Sequence, residues 1–229
     1  ELSGVQSGKV RLGTFSSACT NWVPDILHSF NELYPDIGID IYQGTYDDIK
    51  QWIKTGIIDF GFMSQSACDN LAFEPLHRDP LLCVLPKTYK KKEPLEYITF
   101  DEIRHMPFIM LQETVDSDIR DYLKDQQITY SSSCHIEDDL SALHLIRQQI
   151  FQHALTLRGN GGESGFGFAV MPEMVLKGIP YDIAVYPFEI PGFRIVGLST
   201  LNYDNMSPAA QTLYDHIKKM YRIDDDLER

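Results

Sequence analysis

Between Lys9 and Met63 the apolar residues switch repeatedly between a period of two and a period of about 3.6, and that switching restricts the possible folds more than any other feature. Val10, Leu12 and Thr14 alternate with Lys9 and Arg11, which predicts a strand. A polar turn follows, Phe15-Ser16-Ser17-Ala18-Cys19-Thr20-Asn21. Trp22, Val23, Ile26, Leu27, Phe30 and Leu33 then form one helical stripe that ends at Tyr34-Pro35, with Pro24 in the first turn where no N–H partner is needed. Ile37, Ile39 and Ile41 predict a second strand. Ile49, Trp52 and Ile53 predict a short helix stopped by Gly56, and residues 57–63 a third strand. Strands separated by single helices pair in parallel through right-handed crossovers, so this part of the chain is α/β.

The same alternation resumes further on. Residues 81–85 form an apolar run between Pro80 and Pro86, and a basic surface loop follows over 87–92. Helices are predicted at 99–104, 117–124 and from 139 onward, with strands at 108–111, 129–136, 165–172, 183–186 and 194–198. Ser207-Pro208 opens a last helix running to about Arg222. Two α/β series in succession predict two lobes, a discontinuous one of residues 1–84 with 193–229 and a second of 85–192. Two crossover strands would join them, and clefts between such lobes are preferred ligand sites.

The formal net charge of −13 excludes DNA and anionic membranes as direct partners of these residues. Cys19, Cys68, Cys83 and Cys134 have no CxxC spacing and read as reduced thiols of a cytoplasmic protein. The seven histidines lack metal-ligand spacing, and no GxSxG, P-loop or GxGxxG motif occurs. The sequence therefore predicts no catalysis, no metal and no cofactor. No apolar run approaches the ~20 residues of a membrane span.

Polar residues collect where the first three strands are expected to end. Ser16, Ser17 and Thr20 lie between the first strand and the first helix, where hydroxyls either cap the helix or cradle an anion. Thr45 occupies the corresponding place at the next helix, and Ser64 and Gln65 end the third strand. In the second lobe the facing positions are Gln112, Thr114 and Glu137, the last of which also suits the first turn of a helix.

Six segments, in order, resemble the effector-binding domain of LysR-type transcriptional regulators. They are Gly8-Lys-Val-Arg-Leu-Gly13, Trp22-Val-Pro-Asp-Ile-Leu-His-Ser-Phe30 with Tyr34-Pro35, Gly56-Ile-Ile-Asp59, Glu74-Pro-Leu76, Leu81-Leu-Cys-Val-Leu-Pro86 and Gly165-Phe-Gly-Phe-Ala-Val-Met-Pro172. The resemblance implies two Rossmann-like lobes similar to type 2 periplasmic binding proteins, with a small-molecule effector held between them. It implies ligand contact at Ser16, Ser17 and Thr45, with Ser64 on the same rim. It also implies a homodimer or tetramer in which the helix from Trp22 to Leu33 packs on a partner's second lobe. DNA would be bound only through an N-terminal winged helix-turn-helix, which these residues do not include. One stretch departs from the family: residues 149–164 separate Gln148 from Gly165, where the family passes almost directly from helix to glycine turn. A solute-binding protein of a transport system is the alternative for the same lobes.

Overall fold

The computed structural model describes residues 7–91, 94–104, 106–111, 117–128, 132–136, 139–147, 167–178 and 182–221. The chain divides into two compact units, residues 1–79 with 194–229 and residues 80–193. The expected insertion at 149–164 lies outside the described residues.

In the first unit β1 (Gly8–Thr14) is the central strand of a parallel trio with β2 (Ile37–Gln43) and β3 (Phe60–Ser64). The run from β1 to β2 passes through two helices, α1 (Ser16–Asn21) and α2 (Val23–Leu33). A single helix, α3 (Tyr46–Lys54), connects β2 to β3. The segment expected to be a polar turn is thus helical. Its polar side chains bond back along the helix, Thr20 Oγ1 donating to the Ser16 carbonyl and Asn21 Nδ2 to the Ser17 carbonyl.

The unit is closed by strand β8 (Ile183–Thr200), which runs antiparallel to β3 from Val196 to Ser199, and by helix α8 (Pro208–Met220). The two strands expected at 183–186 and 194–198 are one, because Pro187 and Pro191 interrupt the apolar pattern without ending the strand. Proline ends a ladder only where its missing N–H is needed.

Strand parity determines which helix covers which face. Val10 and Leu12 are fully buried, and Gly8, on their side of β1, comes against Ala209 of α8. Gly13 points the other way, with Gly61 of β3 beside it and Ile49 of α3 above. Glycine at both positions lets α3 lie close to the sheet, since a Cβ on Gly61 would meet Ile49 Cγ2 at 2.7 Å and the Gly13 carbonyl oxygen at 3.1 Å. Arg11, also on that side, forks onto Asp59 (Nη2 to Oδ1 2.7 Å) and donates to the Gly56 carbonyl, which secures the turn entering β3.

Several strand segments of the second unit carry buried side chains on both faces. β4 (Ala72–Pro86) continues into it and pairs antiparallel with β7 (Ala169–Pro172), while β5 (Phe108–Leu111) pairs parallel with β6 (Ser132–Ile136). Leu81, Cys83, Leu85, Phe108, Phe168 and Val170 face one core, covered by α4 (Phe100–Ile103) and α5 (Ser117–Asp125). Val84, Ile109, Ala169 and Met171, of opposite parity, face another, covered by α6 (Asp139–Arg147) and α7 (Glu173–Leu176). This explains why the strand segments read as unbroken apolar runs.

Replacing Gly61 by Ala is expected to lower stability by about 1–3 kcal/mol through overpacking against Ile49 and the β1 backbone. Gly38→Ala, whose Cβ meets nothing closer than 3.9 Å, should stay within about 0.5 kcal/mol of the parent. Urea unfolding of both variants checks the pair; equal midpoints would remove the close-approach role of Gly61.

Candidate functional site

Because β1, β2 and β3 are parallel, their carboxyl ends lie on one edge of the first unit. β1 separates β2 from β3, and α3 and α8 cover opposite faces of the sheet, so the order of connection reverses at β1. Ligands of open α/β sheets bind at such a reversal, outside the strand ends. Four of the residues expected to touch ligand are described, and all four belong to this unit: Ser16 and Ser17 after β1, Thr45 after β2, and Ser64 at the end of β3. Gln112, Thr114 and Glu137 lie outside the described residues.

The four differ in what already occupies them. Ser16 is exposed, and its hydroxyl accepts from Gln43 Nε2 at 3.3 Å. Ser17 is buried, and its hydroxyl accepts from Arg194 Nη2 at 3.2 Å. Phe15, the residue that enters α1, offers no side-chain acceptor to the first turn, so neither serine is spent on a cap. Thr45 is a full cap for α3: its hydroxyl donates to Asp48 Oδ2 at 2.7 Å and accepts from the Asp48 amide, while its own amide donates to the same carboxylate. Ser64 is completely buried, with Ser66 Oγ at 3.3 Å and the Ile195 carbonyl at 3.4 Å.

Behind the serines lies a group that the sequence reading missed. Arg194 of β8 is buried and directs both Nε and Nη2 at Asp79 Oδ2, each at 2.9 Å. Nη1 donates to the Tyr46 hydroxyl at 3.1 Å, and the guanidinium carbon lies 5.2 Å from the centre of the Phe15 ring. Parity carried a signal for it: Arg194 shares a strand face with Val196 and Leu198, both fully buried, so an inward charge requiring a counter-charge was implied.

Burial pushes the Cys19 and Cys83 thiols up, away from the thiolate form. Among the described residues no cluster of three His, Cys, Asp or Glu side chains could hold a metal ion, and no helix is long and apolar enough to cross a membrane.

The backbone and hydroxyl hydrogen bonds from Thr45 hold the Asp48 carboxyl below its ordinary value of 3.8. A carboxylate favoured by the fold stabilises it above the unfolded-state value, and that contribution fades as pH falls through the folded-state value. Asp48→Asn should therefore reduce stability near neutral pH, and its gap to the parent should close progressively below pH 3.8. Denaturation curves across that range test this; a gap that does not change with pH would show that the capping box does not depend on the charge.

Residues 3–151 match the family described as the LysR substrate binding domain. A relative in Bacillus subtilis (strain 168), the uncharacterized HTH-type transcriptional regulator YvbU, is 23% identical over 223 residues, covering 95% of this chain and 69% of the relative. The effector binding domain of QuiR, solved in complex with shikimate, superposes with a TM-score of 0.76 at 18% identity, covering 94% of this chain and 98% of that one. The Synechocystis PCC6803 CcmR regulatory domain in complex with 2-PG gives 0.76 at 14% identity over the same shares of the two chains. The fold is that of LysR effector-binding domains, with its likeness to type 2 periplasmic binding proteins. This chain belongs to the LysR substrate binding domain family, the effector-binding part of transcriptional regulators.

Proposed function

We propose that this chain senses a small hydroxylated carboxylate, or an anion of like polarity, at the strand-end rim formed by Ser16, Ser17, Thr45 and Ser64. One observation carries the reading: both serine hydroxyls already accept a hydrogen bond from a side-chain N–H, Ser16 from Gln43 and Ser17 from Arg194. A hydroxyl used in that way keeps its proton to give, and two adjacent donors suit a carboxylate oxygen. The shikimate bound by the similar QuiR domain is such a molecule. Gln112, Thr114 and Glu137 complete the proposed set on the second unit.

The wider role goes with the family. The chain is the sensing part of a cytoplasmic regulator, and DNA contact belongs to a helix-turn-helix segment such as the one named for its HTH-type relatives. The −13 charge supports that division, since these residues repel a phosphate backbone. The reading assigns the domain no catalysis. Transport is disfavoured, because the relatives are transcriptional regulators rather than solute carriers.

Effector binding would bias the geometry of a dimer or tetramer to the extent of its differential affinity for the two states. The proposed contact is the outer face of α2. That helix buries Val23, Ile26 and Phe30 and leaves Leu33 63% exposed.

Two measurements test these readings. Ser16→Ala combined with Thr45→Val should weaken shikimate binding, followed by calorimetry, by about tenfold or more, the scale of one lost charged hydrogen bond. Unchanged affinity would remove the rim as the site. Leu33→Glu should shift the sedimentation equilibrium toward monomer, whereas an unaltered association constant would exclude the exposed face of α2.

A further inference from the structure

We propose that Arg194 is a positioning residue of the effector rim: anchored by Asp79, it sets the geometry of Ser17 on α1 and of Tyr46 on α3. The inference deepens the proposed function and rests on the rim reading for its effect on ligand.

One side chain joins four elements of the first unit. Arg194 belongs to β8, Asp79 to β4, Ser17 to α1 and Tyr46 to α3. All four residues are buried, with Asp79 completely so. Ion pairing of Nε and Nη2 with one carboxylate oxygen fixes an edge of the guanidinium. Because the group is planar and delocalised, fixing that edge also fixes the directions in which Nη1 and Nη2 present their remaining protons. Those directions end on the Tyr46 and Ser17 oxygens, at 3.1 and 3.2 Å. The Phe15 ring lies against the guanidinium and packs edge-on to the Tyr46 ring, with centroids 5.0 Å apart.

Two helices that follow different strands are thereby held in register by one cation. The same contact settles the polarity of Ser17. Its oxygen receives the Arg194 proton, and among the described residues no acceptor takes its own. Arg194 is placed to act on effector indirectly, through the hydroxyl of Ser17. Its place in the chain adds a second consequence. Asp79 is the last residue before the chain leaves this unit and Arg194 is the first on its return. The pair that orients the rim is thus the pair that ties together the two strands crossing the unit's boundary.

Arg194→Lys tests this because it keeps a charge opposite Asp79 but cannot reproduce the fork. Residue-resolved amide hydrogen exchange is read without ligand. The expected result is exchange about tenfold faster in α1 and in the first turn of α3, with α2 and α8 unchanged, as one charged hydrogen bond would give. Unchanged rates in α1 and α3, or a uniform rise through the whole unit, would overturn the positioning role. Ser17→Ala and Tyr46→Phe leave the ion pair intact and serve if Arg194→Lys does not fold. Each should loosen only its own helix, and failure to do so counts equally against the proposal.

With shikimate as the probe, Arg194→Lys should weaken binding about tenfold, and adding Ser17→Ala should cost little more, because both remove the same contact. Full additivity, or an unchanged Kd, contradicts action through Ser17. If the Ser16→Ala/Thr45→Val pair keeps full affinity while the exchange change stays confined to α1 and α3, the rim reading fails and the positioning of the two helices stands.

Discussion

The first unit is organised around a charge that it can hide only by using it. Burying a guanidinium and a carboxylate costs several kcal/mol of hydration for each ion, and their mutual attraction offsets that only with good geometry and additional hydrogen bonds. Arg194 and Asp79 meet both conditions, with Ser17, Tyr46 and the Phe15 ring making further contacts with the guanidinium. Such a pair adds little net stability compared with an apolar replacement. What it contributes is direction, because apolar contacts tolerate sliding whereas a planar fork with four assigned partners does not. The segments β4, β8, α1 and α3 are therefore set against one another by hydrogen-bond angle as well as by packing.

Packing brings the helices to where that direction matters. Glycines 13 and 61 remove the side chains that would hold α3 away from the sheet, which brings Ile49 onto the β1 and β3 backbones. On the opposite face α8 lies on β1 and α2, with Ser29 within 2.8 Å of His216. The strand ends between these layers are left for polar residues, since a helix following each strand directs its first-turn N–H groups toward that edge. The rim is thus a product of parallel topology.

Much of this could be read in the sequence, and the failures have physical causes. Alternation at Val10, Leu12, Ile37, Ile39 and Ile41 gave β1 and β2, because the intervening Lys9, Arg11 and Asp40 are held by ion pairs rather than by the apolar core. Helix α1 was missed because Ser-Ser-Ala-Cys-Thr-Asn has no apolar stripe; its polar side chains satisfy backbone carbonyls within the same turn, a pattern with no periodicity to detect. β8 was divided at its prolines for the reason that separates pattern from pairing: hydrophobic runs stop at proline, whereas ladders do so only when they need the N–H. Ser16, Ser17, Thr45 and Ser64 were located as strand-end residues, but Tyr46 and Asp79 were not. Nothing local marks a tyrosine or an aspartate as the partner of an arginine more than a hundred residues away.

If Thr45 contacts effector as proposed, capping and recognition compete for one hydroxyl. Its proton is already donated to Asp48 and one lone pair receives the Asp48 amide. A ligand can therefore approach it only as a donor, or must displace the carboxylate and lose the capping box, which is worth about 1 kcal/mol. The serines across the rim differ from it in the proton: each has one lone pair occupied, like Thr45, but keeps its own proton to give. An effector that meets both without disturbing the fold presents an acceptor to Ser16 and Ser17 and a donor to Thr45. A carboxylate bearing a hydroxyl has that polarity, and a bare dianion lacks the donor. On the proposed reading the cap would act as a selectivity element, because the helix that needs Thr45 for its own start would favour ligands able to bring a proton.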